Sequence, residues 1–393
     1  MSKDQMDSHR DIAESASSVA QSSDIEPTLL DSTRDADHQR AHKRSPDHRR
    51  DQRRKRREGR AQRGGKRQPP MVAHGVLLID KPKGLSSFDV IRELRRATGV
   101  KKMGHTGTLD PMATGLLVIC MGEATKLVSY LTADDKSYEA EVTFGVVTNT
   151  YDAEGEVIHK ASDDQLLELS QDQVTDTLMD FIGEQLQRPP AFSAIKVNGQ
   201  RLYERARRGE AVEVPPRAVT FHQLELMSWS SKENVNQELG PEYSPEPSSS
   251  SATSTLTQNL PRAEVNIMCS KGTYIRSLAF DLGEELGCGA HLSALRRTRA
   301  GHFSLTEAHE LKSINSESLA HALTPLVDAL PQAPKVTLSA AEIIAVRQGK
   351  VLSAPSLDPS EVGVYRGISE EGHLIALLKL EGDVLRVARG FKE

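Results

Sequence analysis

The chain has 393 residues, 37% of them hydrophobic, with a formal net charge of -5 at pH 7; that is enough apolar material for a substantial core, in two domains plus tails. No apolar run approaches the ~18 residues of a membrane span and the N-terminus is polar, so neither insertion nor secretion is supported and a cytoplasmic protein is expected. Cys120, Cys269 and Cys288 form an odd, scattered set without a CxxC pair, which fits buried thiols in a reducing compartment; Cys288 and His291 lack a second half with ligand spacing, so no metal is expected.

The modest net charge hides an uneven distribution. Residues 1 to 40 lean acidic, whereas residues 43 to 67 are rich in Lys and Arg, including Lys43, Arg44, Arg53, Arg57, Lys66 and Arg67. Residues 1 to 71 contain almost no apolar side chains and are expected to form a disordered, charged tail. Its basic half is either an arm that tracks RNA phosphates, which would steepen the salt dependence of binding, or a solvated tail that adds solubility.

Order is expected from Val76 to Ile79, a buried strand, followed by a turn over Asp80 to Gly84. Ser86 and Asp89 have capping-box spacing, and Phe88, Ile91, Leu94 and Ala97 supply a helical stripe that ends at Gly99. Arg92, Arg95 and Arg96 lie on the opposite face, toward solvent or RNA. Next comes GHTGTLDPMATGLL, residues 104 to 117, in which Gly104, Gly107, Ala113 and Gly115 surround a single carboxylate, Asp110. Pro111 biases that residue away from the helical region, so the loop presents one acid rigidly, although Asp-Pro in a glycine-rich loop is also an ordinary turn. Leu116 to Met121 reads as a buried strand that anchors the loop.

Tyr138, Ala140, Val142 and Phe144 alternate with Glu139, Glu141 and Thr143, the period of a half-buried strand, and Thr148 to Gly155 reads as a polar turn containing Asp152. Ser170 and Gln173 predict a second capped helix with Val174, Leu178 and Phe181 as its stripe. Residues 188 to 199, with Pro189 and Pro190 followed by Arg201, Arg205, Arg207 and Arg208, suggest a surface loop. Residues 230 to 261 are a low-complexity stretch expected to be an exposed insertion.

Val265, Ile267 and Cys269 resume strand alternation. Ile275, Leu278, Leu282 and Leu286 share one helical face, which leaves Tyr274 and Arg276 in the first turn and off the core stripe. Arg276 at this junction makes either a weak surface ion pair or a bidentate pair that holds a carboxylate ionised. Short strands at Val362 to Arg366, Leu374 to Leu380 and Val384 to Val387 end the chain as a small β domain.

Two long runs, the Asp110 segment continued to Lys126 and the segment from Cys269 to Thr298, closely resemble the catalytic blocks of the TruB family of tRNA pseudouridine synthases. The resemblance covers about residues 72 to 229 and 262 to 393. It implies an α+β pseudouridine synthase fold with a mixed, largely antiparallel central sheet over residues 72–333, and a PUA-like RNA-binding module over 334–393. It implies Asp110 as the essential catalytic carboxylate, Tyr138 stacked on a flipped base and Arg276 paired with Asp110. Tyr274 and Leu295 would line the pocket, His105 would replace the flipped nucleotide, and Asp152 would contact substrate. The implied substrate is the uridine at position 55 in the T-arm of tRNA, and its chemistry demands no cofactor or metal; because no long unexplained apolar surface stripe stands out, a monomer is expected. An RNA-folding chaperone, or a synthase acting on another RNA, are the alternatives.

Overall fold

The apolar run that opens the ordered region forms strand β1 (Gly75–Lys81), and its strict alternation explains why the run is continuous. Leu77 and Ile79 enter one hydrophobic core while Val76 and Leu78 enter another on the opposite face of the sheet. The computed structural model describes residues 73–193, 196–197, 200–201, 208, 214–232, 259–354 and 363–392. The tail expected at 1–71, residues 233–258 of the expected insertion, and Arg205 and Arg207 lie outside the described residues. No helix among the described residues is long and apolar enough to cross a membrane.

Helix α1 (Ser87–Thr98) is closed at its start by the Ser86/Asp89 capping box and at its end by Gly99 in the left-handed region. Its buried stripe is Val90, Ile91, Leu94 and Thr98; Phe88 is 59% exposed and Ala97 is exposed, so the expected stripe was rotated about the helix axis. Strands β2 (Met103–His105) and β3 (Thr114–Met121) flank the Asp110 loop. Then follow β4 (Lys136–Phe144), β5 (Val146–Thr148), β6 (Val157–Lys160), α2 (Gln171–Asp180), β7 (Gly183–Gln187), β8 (Arg217–Ser230), β9 (Arg262–Cys269), α3 (Ile275–Glu285) and β10 (Ala290–Ala300). The Ser170/Gln173 capping box opens α2, as its spacing predicts.

The central sheet has the order β1-β3-β10-β4-β9-β8-β7, with His309–Glu310 added beside β1. β3 and β10 run parallel, as do β1 and His309–Glu310; the other neighbours along this path are antiparallel. Architecture and sheet type are the α+β arrangement expected from the sequence. The chain end forms a second, five-stranded sheet around Val364–Ser369, Leu374–Glu381 and Val384–Gly390. This sheet has its own core, including Tyr365, Ile375 and Leu385, and also places Ile368, Leu374, Leu377 and Phe391 in the second core beneath β1 and β3. Polar bonds reinforce that contact: Lys126 Nζ donates to the Gly390 carbonyl at 2.7 Å, and Lys392 N donates to Glu123 at 3.0 Å.

Candidate active site

Asp110 is held from both sides. The Leu109 amide donates to Ser87 Oγ at 2.8 Å, and Ser87 Oγ donates back to the Leu109 carbonyl at 3.1 Å. On the other flank the Pro111 carbonyl accepts from Gly84 N at 2.8 Å and from Lys81 Nζ at 3.3 Å. Lys81 is fully buried, also donates to the Pro82 and Leu85 carbonyls, and is pushed down to about 8 by burial. The small residues of the loop are required by β10 beneath it. A Cβ on Gly115, whose φ is +95°, would sit 2.4 Å from the Arg297 carbonyl oxygen, and one on Gly107 would lie 3.3 Å from Arg297 Nη1.

Arg276 ties two distant segments, around Thr150 to Asp152 and Phe192, to this loop. Its Nε lies 3.0 Å from Asp110 Oδ2 and its Nη1 lies 3.4 Å from Asp152 Oδ2. Nη1 and Nη2 also donate to the Thr150 and Phe192 carbonyls at 3.0 and 2.9 Å. The pairing with Asp110 therefore runs through Nε, not through the bidentate fork expected from the sequence, because the two terminal nitrogens are committed elsewhere. Arg276 is off the apolar stripe yet only 5% exposed; its charge is buried because carboxylates meet it. The start of α3 is fixed by Gln187, whose amide accepts from Tyr274 N at 2.7 Å and donates to Tyr274 O at 3.0 Å.

Asp152 is 4% exposed and stands behind Arg276, where its Oδ1 accepts from Thr150 Oγ1 at 2.6 Å and from Glu154 N at 3.0 Å. The side chain of Asp110 is 38% exposed at the mouth of the cleft. Burial pushes its carboxyl above the ordinary value, against the pull of Arg276, and the Asp152 charge adds to the rise.

The cleft beside Asp110 has a volume of about 270 Å³ and is lined by Tyr138, Leu295, Tyr274, Arg276, Lys136 and Arg297, among others. Tyr138 lies on β4 directly across from Arg297 on β10. Burial raises its hydroxyl pKa, with the Arg297 charge opposing. Tyr274 is likewise raised by burial. His105 is adjacent in β2; burial, with Arg297 near, holds its imidazole below the ordinary value and hence neutral at pH 7. Its buried Nδ1 has no hydrogen-bond partner among the described residues. The structure thus gathers Asp110, Tyr138, Tyr274, Arg276 and Leu295 around one cleft, with Asp152 one layer behind and His105 at its flank.

A family model for the N-terminal domain of TruB family pseudouridylate synthases matches residues 95–275, and one for the C-terminal domain of tRNA pseudouridylate synthase B matches residues 276–330. The chain belongs to the TruB family. A TruB-family relative from Corynebacterium diphtheriae, named tRNA pseudouridine synthase B, is 39% identical over 309 residues, which are 78% of this chain and 93% of the relative. Its namesake from Nitrosococcus oceani is 43% identical over 294 residues, 73% of this chain and 85% of the relative. Among solved structures, a chain in a crystal structure of a Cbf5-Nop10-Gar1 complex matches with a TM-score of 0.56 at 24% identity, over 81% of this chain and 85% of that one, a likeness of fold.

Several residues around the TruB-family cleft escaped the sequence reading. Lys81 lies in the turn read over Asp80 to Gly84, Gln187 and Lys136 fall between the elements read from the sequence, and Arg297 lies within the Cys269 to Thr298 segment without a role of its own. Pro189 and Pro190, read as surface, are buried, and so is Ser193 beside the cleft. A lysine that ends an otherwise apolar strand was the one available signal for Lys81; the other partners are set by contacts distant in sequence.

Proposed function

We propose that the chain isomerises uridine to pseudouridine in tRNA, at position 55 of the T-loop. The observation that carries this reading is a single carboxylate, Asp110, paired with Arg276 at the mouth of a cleft floored by Tyr138 and walled by Leu295. Membership of the TruB family and the names of the relatives support the substrate.

The reaction breaks the N1–C1′ bond, turns the uracil and joins C5 to C1′. Nothing is oxidised and only the C5 proton is exchanged with water, so the chemistry asks for a carboxylate beside the anomeric carbon and a pocket that holds the extruded base. Positive charge builds on the ribose as N1 departs, and Asp110 stands where it would be met. Tyr138 stacks on the flipped base, Tyr274 and Leu295 enclose it, and His105 takes the vacated place in the RNA. Arg276 keeps Asp110 ionised, and Asp152 holds Arg276 rather than touching the RNA. The five-stranded C-terminal sheet serves as a PUA-like module for the RNA, and the protein acts as a cytoplasmic monomer.

The deciding experiment uses unmodified tRNA tritiated at uracil C5 and purified protein with no added cofactor, following tritium release to water and mapping the modified position. Release confined to the T-loop uridine is expected. Tight tRNA binding without release would overturn the assignment in favour of an RNA-folding role.

A further inference from the structure

The lining of the same cleft includes two buried cations that the roles above leave unused. Lys136 opens β4, two residues before Tyr138 and on the same face of the strand; Arg297 faces Tyr138 from β10. Both line the cleft and both are almost completely buried, at 7% and 2% exposure. Most of their hydrogen bonds go to backbone carbonyls, and Arg297 also reaches the Tyr138 hydroxyl. Arg297 donates through Nε to Leu116 O at 2.7 Å and through Nη2 to Gly107 O at 3.2 Å. Lys136 Nζ donates to Thr132 O at 2.9 Å and to Asp134 O. No carboxylate among the described residues forms an ion pair with either, in contrast to Arg276, which has two.

Two desolvated cations in one cleft repel; burial, with the Arg297 charge, holds the Lys136 ammonium below its ordinary pKa against the pull of the Asp134 and Asp135 charges nearby. Such an arrangement is relieved by an anion arriving between them. In the proposed reaction one forms at this position. When N1–C1′ breaks, the electron pair leaves with the base, which becomes a uracil anion with its charge spread over N1, O2 and O4. Asp110 meets the opposite charge at C1′. The base then forms the C5–C1′ bond, and the proton lost from C5 is balanced by one taken up at N1.

We infer that Lys136 and Arg297 form the counter-charge for this departing uracil, so that the cleft is polarised with carboxylate at the sugar and buried cation without a direct ion pair at the base. The inference rests on the pseudouridine synthase reading. Lys136 is the residue to test, because Arg297 also holds the loop that carries Asp110.

The experiment compares wild type, Lys136→Met and Lys136→Arg in single-turnover conversion of T-loop uridine, with tRNA affinity and melting temperature measured alongside. Removing the charge is expected to slow conversion by about 100-fold, the effect of losing one preorganised charge-stabilising donor, while tRNA affinity changes less than about two-fold. Lys136→Arg is expected to recover most of the rate. The same tRNA with 5-fluorouridine at the site provides the diagnostic readout, scored as loss of the starting nucleotide after nuclease digestion. Fluorine makes the leaving base a weaker base, so the ratio of wild-type to Lys136→Met rates should shrink. An unchanged ratio would overturn the inference and leave Lys136 as a prop for the Thr132 to Asp135 turn. A loss in tRNA affinity, with the salt slope reduced by about one, would overturn it in favour of a phosphate contact. Wild-type protein that converts no uridine at all would overturn the functional reading itself, a separate result.

Discussion

Replacing Arg276 with methionine should expose how this site is held together. The change removes a guanidinium that meets Asp152, 4% exposed, at 3.4 Å and donates to the Thr150 and Phe192 carbonyls. Asp110, 38% exposed at the cleft mouth, keeps part of its contact with water despite the desolvation that raises its pKa, and contributes less to the cost. Asp152 keeps almost none. Breaking a buried pair from one side typically costs 3–5 kcal/mol, so Arg276→Met should lose roughly that amount, a large part of the ~5–15 kcal/mol that a domain has in total. Adding Asp152→Asn should return about 2 kcal/mol or more, since the amide oxygen still accepts from Thr150 and Glu154 while the stranded charge is gone. Urea unfolding of the four proteins of the cycle at pH 7 is the assay. A deficit below about 1 kcal/mol, or no recovery on adding Asp152→Asn, would refute the argument and return Arg276 to the weak surface pair.

Asp110→Asn, nearly isosteric, should abolish tritium release while tRNA affinity changes less than about three-fold; retained turnover would remove Asp110 from the chemistry. Because burial holds the Asp110 carboxyl above its ordinary value, activity that needs the carboxylate should fall on the acid side at a higher pH than an unperturbed aspartate allows, as a pH profile of single-turnover rates would reveal. Gly115→Ala forces a side chain into a left-handed backbone and against the Arg297 carbonyl at 2.4 Å, so it should cost about 2 kcal/mol or more in urea unfolding and depress activity with it.

What the sequence disclosed and what it withheld divide by range. The capping boxes at Ser86 and Ser170 and the alternation of β4 are local arrangements, set by residues two to four apart, and they form as read. The face that α1 turns inward was misjudged because Phe88 is large and apolar, yet the helix start is anchored by Ser87 to Leu109, which sends Phe88 outward. Arg276 was legible as a residue off the apolar stripe; its burial was not, because the carboxylates that permit it lie 124 and 166 positions earlier in the chain. Lys81 illustrates the same limit. A lysine before a proline in a turn reads as solvated, and only the fold returns the Pro111 carbonyl to its amine.

The triad of Asp110, Arg276 and Asp152 also bears on a conflict within the proposed chemistry. A carboxylate that must meet positive charge at C1′ has to be ionised in a site from which the RNA excludes water, and desolvation alone would favour its neutral acid. A lone arginine would keep it ionised but would also neutralise it, leaving a pair of little electrostatic consequence for the sugar. Two carboxylates around one guanidinium carry a net charge of minus one. On the proposed chemistry the buried Asp152 shares the guanidinium with Asp110, so Arg276 does not fully neutralise the carboxyl at the cleft mouth; the same Asp152 charge also raises the Asp110 pKa, and burial of the site by RNA has to leave that carboxyl ionised for the proposed role to hold.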